Sequence, residues 1–266
     1  MEPEPYLAAY YNRGLEDGRL ASQHGSVEFL TTMRYIERYA KPGDRILEIG
    51  AGTGRYAHAL ARQGYTLDAL ELIPYNIEVF RQNTLTNEQI SIAQGNALDL
   101  SRFADSRYDI TLLLGPMYHL FTGDDKRQAL REAIRVTKPG GLLFVAYYMA
   151  DASILGYGFK EGHIFELIEK GLLETEHFKA FSNPWDVFEL LRKEDIDELM
   201  RGFATTRLHY VASDGYTNHM RETVDAMDAA TFKLYLQYHF AVCERPDMAG
   251  LSHHTLDIFQ KNEGNG

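Results

Sequence analysis

The chain has 266 residues, which is enough for one large domain with insertions. Hydrophobic residues make up 45% of it and aromatic residues 12%, so the chain can build a folded core and is not expected to be disordered. The formal net charge of −11 disfavours nucleic acid as a partner, because such a surface repels phosphate backbones.

Cysteine usage and hydropathy indicate the cellular compartment. Cys243 is the only cysteine of the sequence, so no disulfide can form within the chain, as is usual in a reducing compartment. No apolar run approaches the ~20 residues that span a bilayer, and the acidic first residues do not resemble a signal peptide. These features predict a cytoplasmic protein without a membrane partner.

Residues 1–40 precede the predicted sheet. Around Tyr10, Tyr11 and Arg19 this segment is dense in aromatic and charged side chains.

Residues 41–150 alternate between strand and helix signals, which predicts an α/β fold with a doubly wound, mostly parallel sheet. Apolar runs bounded by turn residues predict five strands, and helical periodicity predicts the segments that connect them. The predicted strands are 45–50, 66–71, 89–93, 109–114 and 142–148, and the predicted helices are 54–63, 73–84 and 124–137. The Lys-Pro-Gly-Gly sequence at 138–141 predicts a turn before the fifth strand.

Residues 151–266 are predicted to complete the sheet and to supply helical insertions, so that the chain forms one domain overall. A helix is predicted at 193–201 and strands at 205–211 and 255–260, which pair antiparallel at the edge of a seven-stranded sheet. The segment 216–246 is predicted to be mainly helical and to cover a site.

A glycine-rich turn follows the first predicted strand, in the stretch RILEIGAGTGRY from Arg45 to Tyr56. Its glycines are spaced G-x-G-x-G, and no Gly-Lys-Ser/Thr follows, which excludes a phosphate-binding P-loop. The dinucleotide fingerprint requires G-x-G-x-x-G, and the carboxylate of Glu48 is unfavourable beside a pyrophosphate. Glu48 suits a ligand that carries positive charge. The remaining alternative is a tight strand-to-helix connection without a ligand.

The stretch from Glu48 to Gly54 resembles the first motif of the class I S-adenosylmethionine-dependent methyltransferases, and the resemblance extends over roughly residues 40–150. It implies a Rossmann-like methyltransferase fold with S-adenosylmethionine as the cofactor. It also implies that Glu71, at the end of the second strand, accepts hydrogen bonds from the ribose hydroxyls, and that Asn96, after the third strand, contacts the adenine.

The resemblance places cofactor contacts in the N-terminal segment and in the loops that follow the strands. These residues are Tyr11, Arg19, Glu48, Gly50, Ala51, Gly52, Gly54, Glu71, Leu72, Asn96, Ala97 and Leu114. In this family the N-terminal helices fold over the cofactor, so the resemblance implies that residues 1–40 form an N-terminal helical lid, with Tyr11 and Arg19 near the methionine part of the cofactor. An ordinary amphipathic surface helix is the alternative for this segment. If the first and fourth strands are neighbours where the strand order reverses, the glycine turn and residues 114–119 line one crevice.

The loop from Gly115 to His119 follows the fourth strand and, by the same resemblance, faces the methyl-transfer site. His119 is the first candidate for a general base, which is required only if the acceptor loses a proton. Tyr118 is a candidate for orienting the acceptor, and packing is the alternative role of both residues. Gly115 lacks a side chain that could hold a nucleobase amine, which argues against nucleobase N-methylation.

Further acceptor contacts are expected from residues 147–163 and from 216–246. The polar candidates there are Tyr147, His219, Tyr238, His239 and Arg245. The pair His253–His254 has no cysteine or paired carboxylate at ligand spacing, so we expect a solvated turn at this pair and no metal site.

The sequence therefore predicts an enzyme that transfers a methyl group from S-adenosylmethionine to a small-molecule acceptor by in-line displacement. Two alternatives stay open: a methyltransferase for RNA or protein, and an S-adenosylmethionine-binding protein without catalytic activity. The sequence does not identify the acceptor, the methylated atom or the oligomeric state.

Overall fold

The computed structural model describes residues 4–12 and 22–263. Within this part of the chain seven strands form one sheet. The strands are β1 (Arg45–Ile49), β2 (Thr66–Glu71), β3 (Ile90–Gln94), β4 (Tyr108–Leu113), β5 (Thr137–Tyr148), β6 (Thr205–Ala212) and β7 (His254–Lys261).

Helices connect the strands and cover both faces of the sheet. In the described residues they are α1 (Glu4–Tyr11), α2 (Gln23–Tyr39), α3 (Arg55–Arg62), α4 (Pro74–Asn83), α5 (Gly123–Val136), α6 (Ala150–Ser153), α7 (Ile164–Glu169), α8 (Lys193–Met200), α9 (Arg221–Asp225), α10 (Ala229–Val242) and α11 (Pro246–Ala249). Shorter 3-10 turns lie at 116–118, 184–186 and 217–220, and residues 154–160 form a π-helical turn.

The strand order is β3-β2-β1-β4-β5-β7-β6. Strands β1 to β5 pair in parallel, whereas β7 runs antiparallel to both β5 and β6. The order reverses between β1 and β4, so a crevice opens beyond the carboxyl ends of these two strands. The predicted doubly wound sheet of seven strands, with an antiparallel pair at its edge, is confirmed.

Successive residues of the central strands pack on opposite faces of the sheet. On one face Ile46 and Phe144 pack against α2 and α3, and on the other face Leu47 and Leu143 pack against α5 and α8. None of these four side chains is more than 1% exposed. Burying an apolar side chain of this size contributes about 1.5–3 kcal/mol. Both faces must therefore be covered by helices.

The predicted turn at 138–141 lies inside β5, because Thr137 already pairs with Tyr108 of β4. The pairing register shifts between Tyr108 and Ile110, and Gly140 adopts a φ of 74°. The Gly-Gly pair therefore forms an irregularity within the strand, which a local turn signal does not distinguish from a strand boundary.

The segment 216–246, predicted to be mainly helical, contains α9 and α10 and reaches the first residue of α11. It lies beside α2, since the side-chain amide of Gln23 donates to the carbonyl of Val224 at 2.9 Å. Within residues 4–12 and 22–263, none of the helices combines the length and the hydropathy that crossing a membrane requires.

Candidate functional site

A cavity of about 650 Å³ opens at the carboxyl edge of the sheet, where the strand order reverses. It is bounded by the loops that follow β1, β2, β3 and β4 and by side chains of α1. Open α/β sheets bind their ligands at this position. The crevice that the sequence predicted between β1 and β4 is therefore present.

The glycine turn packs tightly against its neighbours in the sheet. The backbone N–H groups of Gly50 and Ala51 donate to the carbonyl of Leu70 at 2.8 and 3.0 Å, which fixes the turn against β2. A Cβ atom at Gly50 would lie 2.6 Å from the ring of Pro116, so no larger residue fits there. At Gly52 the same atom would meet nothing within 4 Å, and this open space belongs to the cavity.

Glu71 connects the glycine turn to the start of α4. Its Oε2 accepts a hydrogen bond from the N–H of Gly52 at 2.8 Å, and its Oε1 accepts from the N–H of Ile73 at 2.9 Å and from the Asn76 amide at 3.2 Å. Burial raises the pKa of Glu71, and these hydrogen bonds oppose the rise. A carboxylate has about four lone-pair positions, so about one acceptor position is left for a ligand hydroxyl.

Glu48 is a second buried acid in the wall of the cavity. It is 2% exposed, and its Oε2 has no hydrogen-bond partner among the described residues. Burial raises the pKa of Glu48 to about 8, an effect that a backbone hydrogen bond from Ala57 opposes and the charge of Glu71 increases. A cation placed beside these two acids would favour their ionised forms. The turn is therefore suited to a cationic ligand.

Other predicted cofactor residues line the same cavity. Asn96 lies in its wall, and the Oδ1 atom of Asn96 accepts the N–H of Leu98 at 3.0 Å, which shapes the loop after β3. The apolar members of the predicted set that line the cavity are Ala51, Leu72, Ala97 and Leu114.

Among the predicted cofactor residues that the structure describes, Gly54 does not line the cavity. Gly54 precedes α3 with a φ of 93°, and a Cβ atom there would lie 2.6 Å from the rings of His58 and Phe80. Gly54 therefore contributes to the close packing of α3 behind the turn. Arg19 lies outside the described residues.

Tyr11 and His119 meet in the wall of the cavity. The Tyr11 hydroxyl is 2.7 Å from Nε2 of His119, and Nδ1 of His119 is 2.8 Å from the carbonyl of Val187. Because a carbonyl only accepts, Nδ1 carries the proton and Nε2 accepts from Tyr11. Burial lowers the pKa of His119 to about 4, although the contact with Val187 opposes this shift. His119 is thus a neutral residue with both ring nitrogens engaged.

One side of the cavity is aromatic. The ring centroid of Phe188 lies 5.5 Å from those of His119 and Tyr148. Tyr118, which is 6% exposed, lies 6.3 Å from Tyr148 by the same measure. Tyr10 of α1 adds a further ring, 5.5 Å from Phe188. Such a surface suits an apolar or planar ligand.

Of the two adjacent tyrosines at the end of β5, Tyr147 was predicted as an acceptor contact and Tyr148 was not. Side chains alternate along a strand, so the two residues face opposite sides of β5. Tyr147 is fully buried in the core, whereas Tyr148 lines the cavity. Phe188 was also missed, because it lies in an irregular loop that no periodic signal marks.

The remaining predicted acceptor residues lie elsewhere. His239 is buried and bonds to the hydroxyl of Thr31 at 2.9 Å. Tyr238 is 57% exposed, and Arg245 pairs with Asp247 on the surface. Nε2 of His219 donates to the carbonyl of Leu251 at 2.9 Å.

The prediction of a solvated turn at His253–His254 is wrong. His254 begins β7, its side chain is only 14% exposed, and its ring stacks on Tyr148 with centroids 4.9 Å apart and planes 9° apart. The carboxylates of Glu28 and Asp214 approach it from α2 and from the loop after β6. No local spacing signals this cluster, because its members come from three distant elements.

Comparisons with known proteins agree with this geometry. A family model described as a methyltransferase domain matches residues 47–145. An enzyme named ubiquinone biosynthesis O-methyltransferase, from Xanthomonas campestris, is 27% identical over 161 residues, which are 60% of this chain and 65% of the relative. A demethylmenaquinone methyltransferase of Renibacterium salmoninarum is 34% identical over 110 residues, 41% of this chain and 43% of the relative. The chain thus spans less than two thirds of the length of these relatives.

Solved structures show the same architecture. An S-adenosylmethionine-dependent methyltransferase of Thermotoga maritima, described as a possible histamine N-methyltransferase, is similar with a TM-score of 0.59 and 19% identity. The similarity covers 98% of this chain and 100% of the other. At this level of identity the similarity concerns the fold.

Proposed function

We propose that this chain, which contains a class I methyltransferase domain, transfers a methyl group from S-adenosylmethionine to a small-molecule acceptor. The observation that carries the proposal is the pair of buried acids, Glu48 and Glu71, beside a glycine turn at the reversal of the strand order. The cofactor has a positively charged sulfur and a ribose diol, which match a site that attracts a cation and accepts hydrogen bonds. When bound, it supplies an activated methyl group.

The proposed task of the protein is to position the two reactants and to exclude water, because the donor is already activated. Glu71 and Asn96 would hold the adenosine, and Glu48 would face the cationic end. Residues 1–40 are proposed as a lid, which is supported by Leu7 of α1 packing with Ile73 and Val187 at the cavity.

His119 and Tyr118 are proposed to orient the acceptor. A pKa of about 4 makes His119 a weak base near neutral pH. Its Nε2 also already accepts from Tyr11, so an acceptor hydroxyl would have to replace the Tyr11 hydroxyl before His119 could take its proton. We therefore infer that methyl transfer here depends more on positioning than on a general base.

A small acceptor that carries a ring is the proposed substrate class. The aromatic wall around Phe188 and Tyr148 supports it, and the similar enzymes are named for ubiquinone biosynthesis and for demethylmenaquinone. The formal net charge of −11 counts against an RNA acceptor. A cytoplasmic location is proposed because the sequence has a single cysteine.

Calorimetry with S-adenosylmethionine, S-adenosylhomocysteine and NADH tests the cofactor. In Gly52→Asp the new side chain would enter the open space of the cavity, and aspartate tolerates the φ of 54° better than most residues, so the variant should fold and fail to bind S-adenosylmethionine. Gly64→Asp is the matched control, because its φ is also positive and its Cβ position is open but lies outside the cavity. Preferential binding of NADH, or unchanged S-adenosylmethionine affinity in Gly52→Asp, would refute the assignment.

Transfer itself is measured with methyl-labelled S-adenosylmethionine and a panel of catechols and hydroquinones. Release of S-adenosylhomocysteine that depends on one of these acceptors supports the proposal. Tight cofactor binding without such release, across this panel and across RNA and protein acceptors, would support the alternative of a binding protein without catalytic activity.

A further inference from the structure

A second cavity, of about 320 Å³, lies beside the first. Tyr148 and His254 line both cavities, so the stacked pair of rings forms a wall between them. The second cavity is bounded further by α2, by the π-helical turn at 154–160 and by the loop after β6. It is therefore next to the aromatic side of the first cavity, where we place the acceptor.

Three potential metal ligands converge on this second cavity. Nδ1 of His254 lies 2.8 Å from Oδ2 of Asp214 and 3.5 Å from Oε2 of Glu28, and the three ligand atoms lie within 4.8 Å of one another. Around a tetrahedral ion with bonds of about 2.0–2.2 Å, neighbouring donor atoms are about 3.3–3.6 Å apart. A small shift of these side chains would therefore allow all three to bind one ion.

Asp214 is held in place by its neighbours. It is 1% exposed, its Oδ1 accepts from the N–H of His254 at 3.2 Å and from the Ser252 hydroxyl, and its Oδ2 accepts from the Asn218 amide at 2.6 Å. These hydrogen bonds fix the orientation of the carboxylate, as a metal site requires.

We propose that Glu28, Asp214 and His254 bind a divalent transition-metal ion of the Zn²⁺ or Mn²⁺ type. Two carboxylates and one imidazole are ligands that these ions accept, and no thiolate takes part. Binding displaces the proton from Nδ1 of His254. Three protein ligands leave coordination positions open toward the second cavity, which water or an oxygen atom of a small molecule can occupy.

The test uses the full chain, stripped of metal with a chelator and titrated with Zn²⁺ or Mn²⁺ in a calorimeter. We expect one site per chain, and a loss of affinity of at least about tenfold in both Glu28→Gln and His254→Gln. His177→Gln is the matched control. His177 forms an exposed cluster with Glu174 and Glu176, the type of surface site that binds metal adventitiously. Substitution of His177 should leave the metal affinity of the site at Glu28, Asp214 and His254 unchanged.

A second measurement keeps the proposal testable if His254→Gln does not fold. Mn²⁺ bound to protein labelled with ¹⁵N-histidine should show a nitrogen hyperfine coupling in its spin-resonance spectrum, and Glu28→Gln should lose this bound population. Absence of binding by both ions, or affinity that falls only in His177→Gln, would overturn the proposal. The titration contains neither cofactor nor acceptor, so a negative result would leave the proposed methyl transfer untouched.

Discussion

Glu71→Gln removes the charge of the acid that we assign to the ribose hydroxyls and keeps its size. Three acceptor positions of Glu71 serve Gly52, Ile73 and Asn76, which leaves about one for a ligand hydroxyl. A hydrogen bond to a charged group is worth about 1.5–3 kcal/mol. Because about 1.4 kcal/mol corresponds to a factor of ten, the variant should bind S-adenosylmethionine roughly 10- to 150-fold more weakly.

The same substitution also affects the unliganded protein. An amide group offers acceptor positions on one side only, so at least one N–H that Glu71 now satisfies would lose its partner, at a cost of about 1–3 kcal/mol. The affinity must therefore be measured by calorimetry at a temperature where circular dichroism shows the variant to be folded.

Glu78→Gln is the control for the change in charge. Glu78 is exposed on α4 and lies outside the cavity, so its substitution should leave the dissociation constant unchanged. If folded Glu71→Gln binds S-adenosylmethionine within about twofold of the unsubstituted protein, the ribose assignment fails.

Three further substitutions test the site and its support. Glu48→Gln should flatten the pH dependence of stability: burial raises the pKa of Glu48 to about 8, so its contribution is fully present below its ordinary value of 4.5 and is lost as the pH rises through about 8. Thermal unfolding across this pH range measures the effect. An equal change of stability with pH in Glu48→Gln and in the unsubstituted protein would contradict the prediction. Gly54→Ala should destabilise the protein by about 1–3 kcal/mol more than Gly64→Ala in urea unfolding, because both have a φ of 93° but only at Gly54 would the Cβ lie 2.6 Å from packed rings. Similar losses of stability in the two variants would show that the close contact at Gly54 does not contribute to the destabilisation. Tyr11→Phe should cost about 1 kcal/mol by removing the hydroxyl that donates to His119. In the unsubstituted protein, NMR should place the pKa of His119 near 4, and a value near its ordinary 6.5 would contradict the buried ring described above.

The position of several predicted cofactor residues in the cavity wall could be anticipated because the signals are local. Glu48, Gly50 and Gly52 lie within one strand-and-turn unit, and Glu71 and Asn96 lie at or just after the ends of the next two strands. The carboxyl ends of parallel strands meet at one edge of the sheet, so the order of these residues along the chain is enough to place them in one cavity wall. The position of Gly54 behind the turn was not predictable in this way, because it depends on the rings of His58 and Phe80 that pack against it.

The acceptor side could not be predicted, because it depends on contacts between distant elements. Tyr147 and Tyr148 are adjacent and chemically identical, and only the register of β5 against β7 decides which of them faces the cavity. The local sequence of His119 suggests a base, yet Tyr11 and Val187 engage both of its ring nitrogens.

The sequence by itself determined the fold class and the placement of Glu48 and Glu71 at the ends of the first two strands, because periodicity and turn chemistry act within a few residues. Only the tertiary structure decided the surroundings of His254. Its neighbours in the chain include no carboxylate at ligand spacing, and the packing of α2 and the loop after β6 against β7 brings Glu28 and Asp214 to it. A short stretch of sequence does not predict which side chains from distant parts of the chain will pack beside it.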